Sequence, residues 1–217
     1  MNRLRAITLT TLTLIGTFLT AGIAPAQAAT EHVVLAGGCF WGMQAVFESV
    51  HGVTRVVAGF SGGAADTAHY DMVSTGTTGH AESVDVTYDP AKISFQQLLE
   101  VYFLVATDPT QLNRQGPDDG TQYRSEIFYT SAAQRSQAQS YIDALAKRHV
   151  YADPIVTKLA PLNGFYSAEA YHQDYLVHNP DSPYIVYNDL PKLRALREKF
   201  PTLVNESAPP MRVVAKN

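Results

Sequence analysis

The chain is poor in cysteine: its 217 residues contain one, Cys39. A single thiol excludes an internal disulfide and any thiolate cluster for zinc. The seven histidines show no zinc-ligand spacing, so no metal is expected. Basic residues are in deficit as well. Sixteen Lys and Arg stand against twenty Asp and Glu, a net charge of -4, which disfavours nucleic acid and anionic membrane surfaces as partners. Beyond the first thirty or so positions no segment is apolar for long enough to span a bilayer. Internal repeats, low-complexity stretches and a nucleophilic serine elbow are all missing. Gly59-Phe60-Ser61-Gly62-Gly63 is too loose for a phosphate or dinucleotide loop.

The start of the chain reads as an export signal. Arg3 and Arg5 form a basic start, Ala6 to Ala21 is apolar or hydroxylic, and Ala26-Gln27-Ala28 is a small-x-small cleavage site. The apolar run is short and broken by threonines, against a membrane anchor. The expectation is a signal peptide over residues 1–28, a catalytic domain over 29–200 and a loose tail over 201–217. Losing Arg3 and Arg5, with no acid in the segment, takes the net charge from -4 to -6. The expected product is exported, periplasmic or secreted, and free of the membrane. Exported proteins usually pair their cysteines. A lone thiol in an oxidising compartment is a liability unless it is used.

Cys39 stands in Gly37-Gly38-Cys39-Phe40-Trp41-Gly42, after the apolar run His32-Val33-Val34-Leu35-Ala36 and before residues with helical spacing, Phe40, Ala45, Val46, Phe47 and Val50. A thiol at such a strand-to-helix turn faces the free N–H groups of the helix start, which are expected to lower its pKa. Further strands are expected over Val53–Phe60, His80–Tyr88 and Ser125–Thr130, and another over Ile155–Leu159. Ser94 with Gln97, and Ser131 with Gln134, read as capping boxes opening two helices. Later helices are expected over Ser167–Val177 and Leu190–Phe200. The order strand-helix-strand-strand-helix-strand is that of a ferredoxin-like α+β sandwich. Two long loops, about 61–79 and 108–123, are of a length that suggests a site.

Alternation along the third strand puts Glu82 on one face with Val84, Val86 and Tyr88. A carboxyl against a core resists ionisation and can donate a proton near neutral pH. The plainer alternative is an edge glutamate that reaches solvent or pairs with arginine. Tyr70 and Tyr123 lie in the two long loops, where phenols can donate to a substrate oxygen or simply fill turns. Phe40 and Trp41 beside the thiol can form an apolar pocket or plain core.

These residues together resemble the type A peptide methionine sulfoxide reductases. The matches are Gly38-Cys39-Phe40-Trp41-Gly42, Gly59-Phe60-Ser61-Gly62-Gly63, Gly76-Thr77-Thr78-Gly79-His80-Ala81-Glu82, Tyr88-Asp89-Pro90, Gly120-Thr121-Gln122-Tyr123-Arg124-Ser125 and Tyr171-His172-Gln173. The resemblance implies a ferredoxin-like fold and reduction of the S epimer of methionine sulfoxide, free or in proteins. It places the nucleophile at Cys39, the proton donor at Glu82 and hydroxyl donors at Tyr70 and Tyr123. It makes Phe40 and Trp41 the pocket for the substrate methyl group. Asp118 matches an acidic position that helps organise the site, with Asp119 beside it as the alternative. No cofactor is implied beyond an external thiol reductant such as thioredoxin or another dithiol, and the protein is expected to act as a monomer. The chain departs from many members in carrying Gln44 where they have Glu, and in lacking the resolving cysteines that many carry near the C-terminus. Two other classes compete: a cysteine acyl-transfer enzyme using His80 or His172, and a redox sensor or binding module for oxidised proteins.

Overall fold

The structure, a computed structural model, describes residues 29–215; the expected signal peptide lies outside them. In chain order the elements are β1 (Glu31–Gly37), α1 (Phe40–Glu48), β2 (Val53–Ser61), α2 (Tyr70–Val73), β3 (Ala81–Tyr88), α3 (Phe95–Val101), β4 (Arg114–Gln115), β5 (Asp118–Asp119), β6 (Ser125–Tyr129), α4 (Ala132–Lys147), β7 (Lys158–Pro161), β8 (Phe165–Ser167), α5 (Tyr175–His178), α6 (Leu190–Lys199) and α7 (Pro209–Val214). The main sheet has the order β7-β6-β1-β3-β2-β8. Its centre, β6-β1-β3-β2, is antiparallel throughout and is the ferredoxin-like α+β arrangement expected from the element order. β7 adds parallel to β6 and β8 antiparallel to β2.

Alternation fixes what each face buries. Val33, Leu35, Val84 and Val86 join Phe40, Met43, Phe47, Leu98 and Tyr102 in the main core. Val34, Ala36, Ala81 and Phe128 point the other way and are covered by Ala160, Leu162 and Phe165. Ser94 and Gln97 form the complete capping box at α3. At α4 only half of the expected box forms. Ser131 accepts from the Gln134 N–H, but the Gln134 side chain accepts from Thr130 and donates to the His32 carbonyl, tying the helix start to β1.

Two expectations are overturned. Residues 167–177 do not form one helix. Ser167 ends β8, a short 3-10 turn covers Ala170–His172, and α5 begins only at Tyr175. The Gln173 side chain explains the break. Its amide accepts from the Ala58 N–H and donates to the Ala58 carbonyl, continuing the β8 ladder along β2 in place of backbone. The tail is not loose either. Val204 pairs with Val50, His51 donates to the Leu203 carbonyl, and α7 buries Met211 and Val214. Pro209 and Pro210 open this helix at the positions where proline is tolerated.

Candidate active site

Gly38 turns the chain from β1 into α1 at φ +96, which disfavours any side chain, and a Cβ there would lie 2.5 Å from the Gln115 side chain. Gln115 in turn holds the second long loop. Its amide donates to the Thr107 hydroxyl and accepts from the Asp108 N–H. The paired glycines thus let that loop pack against the turn that carries the thiol. Cys39 becomes the N-cap residue of α1, 8% exposed.

The two long loops are stitched to each other. Thr121 donates to the Gly76 carbonyl and Gln122 to that of Ser74. The Arg124 guanidinium donates to the Gly79, His80 and Thr121 carbonyls while pairing with Glu126 at 2.6 Å. This clamp brings Tyr70 and Tyr123 to Cys39. The Tyr70 hydroxyl is pushed up to about 12 by burial and then by Glu82 and Cys39. That of Tyr123 is pushed up by burial, Glu82, Asp118, Tyr70 and Cys39. Both phenols stay protonated and can donate.

Glu82, 2% exposed, accepts from the Phe40 N–H at 3.0 Å, inside the first turn of α1. Burial raises its pKa to about 8, against that hydrogen bond and with help from Asp118 and Asp189. It is therefore a neutral acid near pH 7. The expected depression of the thiol pKa is reversed. The Trp41 N–H does favour the thiolate, but burial, Glu82 and Asp189 outweigh it and push Cys39 well up. A helix start lowers a thiol pKa only where the thiolate is solvated or faces net positive charge; here two carboxyls stand close by.

Asp118 is the acid that faces the site, while Asp119 is exposed. Asp118 accepts a hydrogen bond from the Tyr184 hydroxyl. Trp41 is half-buried and fronts the site: its ring stacks on Tyr175 at 3.7 Å, meets Tyr184 edge-on at 5.7 Å and donates through Nε1 to His172 Nδ1 at 3.1 Å. Phe40 has no exposed surface and backs the site between Phe60 and His172. His80 accepts from the Gly63 N–H and donates to the Ala64 carbonyl, so both ring nitrogens are used in stapling the first loop. The base that a cysteine acyl-transfer enzyme needs is therefore not supplied by His80. His172 is turned to the indole, and burial lowers its pKa.

Sequence reasoning missed Tyr184, Asp189 and Lys192, all from the C-terminal third. Gly42 marks where two of them enter: a Cβ there would stand 2.0 Å from Asp189 Oδ1 and 3.1 Å from Lys192 Nζ. Gly42→Ala is thus expected to dislodge Asp189. Overpacking of this kind costs about 1–3 kcal/mol, read as a lowered midpoint in thermal unfolding; an unchanged midpoint would mean that the contact is soft.

Gln44, the departure from the family pattern, is buried and accepts from the Asp174 N–H at 3.0 Å. Among the described residues, no group of three or more His, Cys, Asp or Glu is arranged to hold a metal, and no helix is long and apolar enough to cross a membrane.

Comparison with known proteins identifies relatives over most of the described fold. The family described as "Peptide methionine sulfoxide reductase" matches residues 31–203. Peptide methionine sulfoxide reductase MsrA 2 of Mesorhizobium japonicum is 58% identical over 177 residues, 82% of this chain and 91% of its own. The MsrA 2 of Synechocystis is 50% identical over 171 residues, 79% of this chain and 80% of its own. Among solved structures, reduced Mxr1 of Saccharomyces cerevisiae superposes with a TM-score of 0.67 at 31% identity, covering 76% of this chain and 94% of that one. Methionine sulfoxide reductase A of Corynebacterium diphtheriae gives 0.61 at 36%, covering 74% and 80%.

Proposed function

The chain belongs to the peptide methionine sulfoxide reductase family, and on that premise we propose that Cys39 reduces the S epimer of methionine sulfoxide by direct attack on its sulfur. The observation that carries this is the buried Glu82 carboxyl, neutral up to about pH 8, in the same helix start as the chain's one thiol. As the Cys39 thiolate bonds the sulfoxide sulfur, negative charge gathers on the oxygen. Tyr70 and Tyr123 donate hydrogen bonds to it and Glu82 gives it a proton. The hydroxyl then passes from the substrate sulfur to the Cys39 sulfur as the S–S bond between them breaks with its electron pair on the substrate sulfur, so methionine departs and Cys39 is left as a sulfenic acid. The Trp41 ring, braced by Tyr175 and Tyr184, is the apolar wall against which the methyl group packs, with Phe40 behind it. Asp118, through Tyr184, orders that wall.

A dithiol returns the enzyme to its starting state. One thiolate attacks the sulfenic sulfur, releasing water after protonation. The second attacks the resulting mixed disulfide and releases Cys39. A thioredoxin-like protein is a reductant of the right class. The reading extends to repair of oxidised exported proteins by a monomer, with export supported by the signal-like sequence of residues 1–28; a mature N-terminus near Ala29 is its check.

The test is incubation with methionine sulfoxide, with and without dithiothreitol. With it, turnover should be continuous. Without it, the burst should stop at about one methionine per chain, because no second thiol exists to attack the sulfenic acid. Mass spectrometry should find dimedone-reactive Cys39. Repeated turnover without thiol, or unmodified Cys39 after the burst, would remove the one-cysteine cycle.

A further inference from the structure

Gly42 lies three residues after Cys39 on α1, and the space a side chain would take there is filled from the C-terminal third of the chain. Asp189 ends a π-helical turn, Ile185–Asp189, that leads into α6, a local geometry frequent at functional sites. It is fully buried. Its Oδ1 would be 2.0 Å from a Gly42 Cβ, and Lys192 Nζ 3.1 Å from it. Lys192 donates to Asp189 Oδ1 at 3.3 Å, with 19% of its side chain exposed. The second oxygen, Oδ2, has no partner. A long, strongly hydrated lysine ordinarily keeps its charge in water. Here the ammonium is drawn into the first turn of the helix that carries the nucleophile.

We propose that Lys192, seated by Asp189 in the notch left by Gly42, is a positioning residue that steadies the Cys39 thiolate. The inference rests on the reading of Cys39 as nucleophile. A thiolate occurs twice in that cycle: as attacking group on the sulfoxide, and as the group expelled when the dithiol cleaves its mixed disulfide with Cys39. In the second step the dithiol gives up two electrons and becomes a disulfide, and the S–S bond to Cys39 breaks with its electron pair on Cys39. A nearby cation favours both events. The groups facing Cys39 from other elements are Glu82 on β3 and Asp189 before α6, which oppose the thiolate, Lys192 on α6, which favours it, and the phenols of Tyr70 on α2 and Tyr123 in the second long loop. Tyr184 and Asp118 adjoin the same cluster. The C-terminal segment, which lacks a second thiol, thus contributes a charge instead.

The lone cysteine makes the test direct, because alkylation by iodoacetamide reports one site. The rate is followed against pH in the full-length protein. In Lys192→Met the midpoint for Cys39 should rise by about one pH unit, roughly tenfold less thiolate at a given pH below it. Lys192→Arg should hold the midpoint near the starting protein's. Asp189→Asn keeps an acceptor for Lys192 but removes a negative charge, so its midpoint should fall; this variant carries the test if Lys192→Met does not fold. Equal midpoints in the folded Met variant and the parent, equal shifts in Met and Arg, or an unmoved or raised midpoint in Asp189→Asn would each overturn the proposal. Methionine production by the unaltered protein is measured alongside. If that fails while the midpoints move as expected, the cation stands and the reductase reading falls.

Discussion

Replacing Cys39 with serine should abolish methionine formation at every reductant concentration, by about 10⁴-fold or more, in line with removal of other catalytic nucleophiles. The hydroxyl is a far weaker nucleophile toward sulfur and cannot become a sulfenic acid. The position itself tolerates serine well. Cys39 is the N-cap of α1, a position at which serine is among the preferred residues. Cys39→Ser is therefore expected to unfold within a few degrees of the parent, and the lost activity will not be lost fold. The measurement is single-turnover methionine release, with thermal unfolding on the same preparation. Residual turnover in a clean serine variant would take the nucleophile away from Cys39.

That this thiol stands at a strand-to-helix turn was visible in the sequence from its glycine frame. How it is held was not. Local pattern carries information over a few residues: the alternation of β3 placed Glu82 on the core face, and the element order fixed the central four strands. The surroundings of Cys39 depend on contacts between distant positions. Asp189 and Lys192 enter from some 150 residues downstream, where they sit in what reads as an ordinary exposed helix start. Gly42 was the local trace of that contact, but a glycine in a helix gives no clue to its partner. The thiol's raised pKa went unforeseen for the same reason. The helix start is a local feature and points one way, while burial and two carboxyls from β3 and the α6 entry point the other. Gln173 misled differently. Its side chain replaces a strand's backbone, and no periodicity in the sequence encodes that substitution. The tail after Pro201 looks like a chain ending its structure, although the spacing of Met211 and Val214 is that of a buried helical face.

Glu82→Gln tests the acid and the thiol together, with opposite signs. The amide preserves shape and can still accept from the Phe40 N–H, so the fold should hold. It has no transferable proton, and general acid catalysis contributes about 10²–10⁴-fold. Single-turnover methionine release should slow by that factor, and added dithiol should not restore it, since the loss precedes recycling. The pH dependence follows from the direction of each shift. Glu82 is raised to about 8, so its proton is available below that pH and is lost as pH rises through it. Cys39 is also raised, and its thiolate grows as pH rises. The parent should therefore show a bell-shaped profile set by the coupled pair. Because the Cys39 midpoint lies above that of Glu82, the parent's rise should level off near pH 8 and fall only once the thiol is ionised, whereas the variant should go on rising through pH 8. Alkylation of Cys39 should meanwhile become easier above pH 8, because the charged Glu82 that opposes the thiolate is gone. Faster alkylation with slower catalysis separates proton donation from general damage to the site. A variant slowed in both, or one whose methionine release matches the parent's, would leave Glu82 with a structural role only.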